Sequence, residues 1–192
     1  DLPSQTRGDA ADPTQKSTYS NAGIGRAYGM EMLVRRDLTQ RLSGWIAYTL
    51  SKSERASPNN GWNMFRYDQT HIFSTVAAYK LRRGWQASTR FRYVTGNPVT
   101  RVEEAVYDAD GDRYLPVPGF RTESRLPSFH QLDVRVEKTW DWSGWDLSGY
   151  VDVQNVYGRL NPERQRYDFD YSESAYVTGL PIFPSIGIRG EF

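Results

Sequence analysis

Cysteine is absent from the 192-residue sequence. That excludes a disulfide framework, a thiolate zinc site and a thiol nucleophile. Lysine is scarce: only Lys16, Lys52, Lys80 and Lys138 occur, so 20 of the 24 basic residues are arginine. Arginine makes planar, bidentate pairs with carboxylate and phosphate, which suits a charged, semi-enclosed interior or a lipopolysaccharide surface. Neither sign of charge is in surplus, since 24 Lys+Arg face 23 Asp+Glu for a net charge of +1. A nucleic-acid binder gathers a basic excess on one face, so no nucleic-acid partner is expected. Long apolar runs are missing as well. A transmembrane helix needs about 20 consecutive apolar residues, and this chain has none and a mean hydropathy of −0.70. A membrane protein built from strands remains open. Each spanning strand takes only about 9–11 residues, with an apolar side chain at every second one.

Aromatics are plentiful for so polar a chain, at 14%, with six Trp and thirteen Tyr. They fit the girdles that flank the apolar band of a membrane barrel. The sequence opens at Asp1 without a signal-peptide pattern, which reads as a processed chain or a fragment.

Seven stretches carry the period-2 pattern of strands. In 24–36, Tyr28, Met30, Met32 and Val34 alternate with Gly29, Glu31, Leu33 and Arg35. In 42–51, Leu42, Ile46, Tyr48 and Leu50 alternate with Ser43, Ala47, Thr49 and Ser51. Phe73, Ala77 and Tyr79 mark the third, and Trp85, Ala87, Thr89, Phe91 and Tyr93 the fourth. The fifth, 130–140, sets Leu132, Val134, Val136 and Trp140 against Gln131, Asp133, Arg135 and Glu137. Trp145, Leu147, Val151 and Val153 mark the sixth, and Ile186, Ile188 and Phe192 the seventh, 182–192. No helical period competes, so the expected class is all-β.

The connections discriminate further. Those at 37–41, 82–84 and 141–144 are tight, whereas 52–70, 96–129 and 157–181 are long and polar, and the two kinds alternate strictly. Short periplasmic turns and long extracellular loops are the rule in outer-membrane barrels. Trp85, Trp140, Trp142 and Trp145 gather at the short turns, where a periplasmic girdle belongs. The expected architecture is therefore an antiparallel, up-and-down transmembrane β-barrel segment over 24–192, with 1–23 an extracellular loop or tail. Hydrocarbon offers backbone groups no partner, so barrels close, and bacterial single-chain barrels have even strand numbers. About seven strands leave two open edges, which implies a piece of a larger barrel.

Several segments carry a family resemblance. They are Gly25-Arg26-Ala27-Tyr28-Gly29-Met30-Glu31, Tyr67-Asp68-Gln69-Thr70-His71 and Thr95-Gly96-Asn97-Pro98. The fullest is Arg125-Leu126-Pro127-Ser128-Phe129-His130-Gln131-Leu132-Asp133-Val134-Arg135-Val136-Glu137-Lys138, followed by Asp152-Val153-Gln154-Asn155-Val156-Tyr157 and the ending Ile186-Gly187-Ile188-Arg189-Gly190-Glu191-Phe192. In order and spacing, from about Tyr19 onward, they resemble the C-terminal barrel region of TonB-dependent receptors. The resemblance implies a 22-stranded barrel in the outer membrane of a Gram-negative bacterium. It also implies uptake of a scarce ligand with TonB-coupled energy. The implied partners are the rest of the same barrel and its plug domain, the TonB complex through an N-terminal part outside this sequence, and outer-membrane lipid or lipopolysaccharide. Phe192 with Ile188 and Ile186 resembles the signal read by the barrel-assembly machinery.

Within that frame Glu31, Arg35, Arg90, Arg92, Asp133, Arg135, Glu137 and Asp152 are expected to face the lumen. Their signs alternate across adjacent strands, which suits cross-strand pairing and contact with plug or ligand; plain solvation of a wet interior is an equal reading. Asp108, Asp110 and Asp112, near Glu103 and Glu104, could supply oxygen ligands to Ca²⁺. An ordinary Asp/Gly turn outweighs that reading, and no other cofactor is expected. His71 and His130, at the loop ends of their strands, could hold a metal or ligand, although hydrogen bonding of the rim is the commoner use. Trp62, Phe65, Tyr114, Phe120, Tyr167, Phe169 and Tyr171 could touch a ligand from the loops or pack them. No nucleophile–base set has convincing context, so no catalysis is expected. The competing readings are another outer-membrane barrel (porin-like, protein-exporting or enzymatic) and a soluble carbohydrate-binding β-sandwich.

Overall fold

The computed structural model describes residues 2–5, 19–37, 41–57, 61–119 and 124–191. Among them every regular element is a strand and every pairing is antiparallel. In chain order these are β1 (Leu2–Gln5), β2 (Tyr19–Arg36), β3 (Leu42–Ser57), β4 (Gly61–Met64), β5 (His71–Lys80), β6 (Trp85–Val94), β7 (Pro98–Val99) and β8 (Val102–Asp108). There follow β9 (Arg113–Pro118), β10 (Ser124–Arg125), β11 (Phe129–Trp142), β12 (Trp145–Gln154), β13 (Pro162–Tyr167), β14 (Ser174–Thr178) and β15 (Phe183–Glu191).

One nine-stranded sheet holds the long strands in the order β1-β2-β3-β5-β6-β11-β12-β15, with β4 paired to β3. From β2 onward the path is a meander, so all tight turns lie at one end and all long connections at the other. Two of the tight turns have the conformation that strand twist favours. Arg83 and Gly84 have φ of 60° and 75°, and Ser143 and Gly144 have φ of 53° and 86°. Positive φ at both central residues is the mark of the I′ hairpin.

The long connections are themselves ribbons. β3 runs on past residue 51 to pair with β4; β8 pairs with β9, and β13 with β14. Segments 52–70, 96–129 and 157–181 were expected as polar loops, and the hairpins within them had no apolar alternation to announce them. β2 also begins earlier than expected, at Tyr19, and its first residues pair with β1.

The sheet is open. β15 ends it on one side, and on the other β1 covers β2 only over the register from Tyr19 to Gly23. Among the described residues no second sheet stacks on it, and buried hydrophobics are confined to Val94 and Leu126. No helix is long and apolar enough to cross a membrane, which has no bearing on strands.

Candidate functional site

Directly paired residues on neighbouring strands share a face, so the register assigns every side chain to one of two surfaces. One surface is apolar across all seven long strands. Met30 pairs with Leu50, Val34 with Ile46, Tyr48 with Phe73, Phe91 with Leu132, Val136 with Val151, and Val151 with Ile186. Most of these side chains are exposed, Ile186 at 81% and Met30 at 59%, while Tyr48, Phe73, Phe91 and Leu132 are half-buried. Buried polar residues (Glu54, Asp68, Asp133, Ser148, Asn155 and Asn161) outnumber the two buried hydrophobics. That is the inverse of burial in a water-soluble domain, whose exposed apolar patches seldom exceed a few hundred Å².

Two aromatic rows bound the belt. At the loop end lie Tyr48 and His71, in mutual hydrogen bond at 2.9 Å, then Tyr93, then His130, bonded to Tyr157 at 2.8 Å. At the turn end lie Tyr79, Trp85, Trp140 and Trp145, all exposed. Tyr93 and Trp85 are eight residues apart on β6. At ~3.4 Å per residue the rows are about 27 Å apart along the strand, or roughly 20 Å of height at a barrel's usual tilt. The two histidines thus serve the rim, each with its own tyrosine, and Tyr93 stands between them.

The opposite surface carries Glu31, Arg35, Arg90, Arg92, Asp133, Arg135, Glu137 and Asp152 together, as their register positions require. One of the expected cross-strand pairs forms: the Arg90 guanidinium donates to Asp133 at 2.6 and 2.9 Å. Asp133 also accepts from Gln131 Nε2 at 2.7 Å and from the Asn155 amide at 2.9 Å. Arg135 departs from the expectation. Its register partner is Asp152, yet it donates along its own strand to Glu137 and lies 3.8 Å over the Tyr150 ring. Tyr150 in turn lies across Gly187, where an added Cβ would stand 2.3 Å from the ring. Arg35 likewise bonds a neighbour, Asp37, at 2.8 Å. The side chain of Asp152 is left with Oδ1 buried and unpartnered among the described residues. This surface is not uniformly polar: Leu33, Trp45, Val76 and Ala78 line an open cleft of about 650 Å³ at the turn end.

Two polar braces tie the loop end together, and neither was foreseen. Asp68, 1% exposed, pairs with Arg125 and also accepts from the Ser53 amide at 2.5 Å. Arg125 further donates to the carbonyls of Asp68 at 2.8 Å and Gly96 at 3.2 Å. The second brace continues β11 beyond the end of β12. The Asn161 side chain brackets the His130 backbone, accepting from its N–H and donating to its C=O at 3.0 Å each. Asn155, buried and at φ 53°, donates to the carbonyls of Arg159 at 2.9 Å and Leu180 at 3.2 Å. The available signal was an isolated Asp or Asn beside a strand end, where such side chains replace missing ladder bonds.

Comparison with protein families, curated proteins and solved structures returned no match for this chain. The site is therefore read from its geometry.

Asp108, Asp110 and Asp112, considered above as Ca²⁺ ligands or an ordinary turn, lie at the turn between β8 and β9. Asp108 accepts from the Gly111 amide and pairs with Arg113, while Asp112 accepts from the Tyr107 hydroxyl at 2.7 Å. Among the described residues no group of three or more His, Asp or Glu is placed to hold a metal. Those carboxylates build a hairpin turn. The loop aromatics pack on one another or on arginine. Trp62 lies under Arg26 at 4.2 Å and Phe65 under Arg55 at 3.9 Å, while Tyr114 meets Phe169 at 5.6 Å and Tyr167 meets Tyr171 at 5.5 Å. Ile186 and Ile188 stand on the apolar face; Phe192 and Phe120 lie outside the described residues.

Proposed function

We propose that this chain is part of the wall of an outer-membrane β-barrel of the TonB-dependent receptor type. Its apolar surface meets lipid, its charged surface lines the lumen, and its ribbons project outside the cell. The observation that carries the reading is the inverted burial: an exposed apolar belt across seven strands, bounded by aromatic rows, behind which charges pair with one another. Open edges on β2 and β15 fit a wall segment whose neighbours complete the ring. The unmet Asp152 oxygen fits a lumenal face that receives a donor from a plug or ligand. The receptor type rests on the resemblance. Its quoted segments contribute Asp68, Gly96, Arg125, Asp133 and Asn155 to the braces, so motif and geometry coincide there.

In this reading the chain supplies wall, lumen lining and outer loops. The gate and the coupling to inner-membrane energy belong to other parts of the receptor. The test is made in cells producing the protein that carries this sequence. It should fractionate with the outer membrane and run with a heat-dependent gel shift. Growth on its ligand should stop when TonB is removed. Ligand uptake that persists without TonB would point instead to a porin-like barrel, and recovery in the aqueous fraction would end the membrane reading.

A further inference from the structure

At the turn end the apolar surface carries two charged side chains, Arg36 on β2 and Lys138 on β11, and the second is flanked by aromatic rings. Lys138 pairs in register with Trp85 on β6 and with Gly149 on β12. Its ammonium lies 5.8 Å from the Trp85 ring and 5.8 Å from the Trp140 ring, within the ~6 Å reach of cation–π attraction. Among the described residues it has no carboxylate partner. The turn that carries Arg82 and Arg83 is adjacent: an added Cβ on Gly84 would stand 3.2 Å from Lys138 Nζ. The backbone of a turn that carries two arginines in sequence thus runs beside the Lys138 ammonium.

The surface next to this cluster is shaped. Gly149 presents no side chain, and the Trp140 ring lies over it, 3.4 Å from where a Cβ would stand. Beyond Trp140, whose register partner is Leu147, an apolar slot of about 490 Å³ runs between Trp145, Leu147 and Gly190. Snorkelling of a lysine stem to the interface needs neither the second ring nor a slot. A lysine ammonium flanked by two indole rings, with an apolar slot on the neighbouring strands, matches one kind of molecule.

We propose that Lys138, with Trp85 and Trp140, forms a binding site for the phosphate headgroup of an anionic glycerophospholipid of the inner leaflet, one acyl chain lying in the Trp145–Leu147–Gly190 slot. The ammonium supplies the charge, and the rings hold the glycerol region at the boundary. This rests on the membrane-wall reading.

The test uses the full-length protein, delipidated in detergent and returned to nanodiscs containing phosphatidylglycerol and phosphatidylethanolamine. Retained lipid is then counted by native mass spectrometry. Wild type should keep phosphatidylglycerol in preference. Lys138→Gln should lower that retention about fivefold, the effect of one cation at a membrane surface, and Trp140→Leu should lower it too. Lys80→Gln, on the other face, should change nothing. Equal retention by wild type and Lys138→Gln, with both proteins folded by heat-shifted migration, would overturn the proposal and leave the wall reading standing. Displacement of the lipid by millimolar inorganic phosphate would also overturn it, because the slot would then contribute nothing. A wild-type protein that enters no nanodisc would instead defeat the wall reading itself.

Discussion

Arg125 and Asp68, 57 positions apart, close on one another at the loop end of the sheet, with the carboxylate 1% exposed. Four further acceptors hold the guanidinium: the carbonyls of Asp68 and Gly96, the Thr70 hydroxyl and the Met64 sulfur. A buried carboxylate is tolerable only while its partner is present. Arg125→Met should therefore cost about 3–5 kcal/mol, mostly as an unpaired buried charge, and Asp68→Asn less. Limited proteolysis should show new cleavage in 52–70 and 96–129 with the strands still protected. Unchanged cleavage would mean the pair does not hold the loops.

Gly96 passes against the same brace. A Cβ there would stand 1.8 Å from the Leu126 carbonyl oxygen, a position that backbone cannot yield. Gly96→Ala should sharply reduce the fraction of protein showing heat-shifted migration. Gly190→Ala is the control. Its nearest neighbour would be a Trp145 ring carbon at 3.9 Å, an ordinary contact, and it should fold like wild type.

Glu54 is held by Lys52 at 2.9 Å and Arg26 at 2.6 Å. Hydrogen bonds from Lys52 and then Arg26 lower its pKa below the ordinary 4.5. A depressed carboxylate contributes stability that is whole above its unfolded value and is lost as pH falls through the folded one. Hydrogen exchange over residues 52–57 should therefore be steady from neutral pH to about 5 and speed up, relative to intrinsic rates, only below the ordinary carboxylate range. Glu54→Gln should abolish that acid-dependent step.

Charge on the belt should be costly where charge on the reverse face is not. Val136→Arg falls at mid-belt, and an arginine on the lipid face there costs about 2–4 kcal/mol. Ser88→Arg, on the charged surface among Arg90 and Asp133, should be tolerated. Folded yields in outer-membrane fractions should separate the two, and equal yields would contradict the assignment of faces.

The seven long strands, their order and their facing were legible from alternation because each carries apolar side chains on one surface, from Met30 through Phe91 to Ile186, whereas β1, β4 and the loop hairpins were not. Loop lengths sorted the ends. What stayed hidden depends on register between distant segments. Asp68 and Arg125 read singly as loop polars, and only the pairing of β7 with β10 brings them together. Arg135 was expected to bridge strands, yet Glu137 two residues on and the Tyr150 ring compete better for it than Asp152 does. Asp108, Asp110 and Asp112 resemble a cation loop in composition, but an arginine and a tyrosine already occupy two of the carboxylates.

Which side of the sheet meets lipid is directly measurable, because the sequence has no cysteine. Single cysteines at successive positions 131–136 of β11, spin-labelled in the full-length protein in outer membranes, report accessibility to oxygen and to a water-soluble nickel chelate. Period-2 alternation is expected: oxygen-rich at Leu132, Val134 and Val136, chelate-rich at Gln131, Asp133 and Arg135. Equal chelate access on both sides would contradict it.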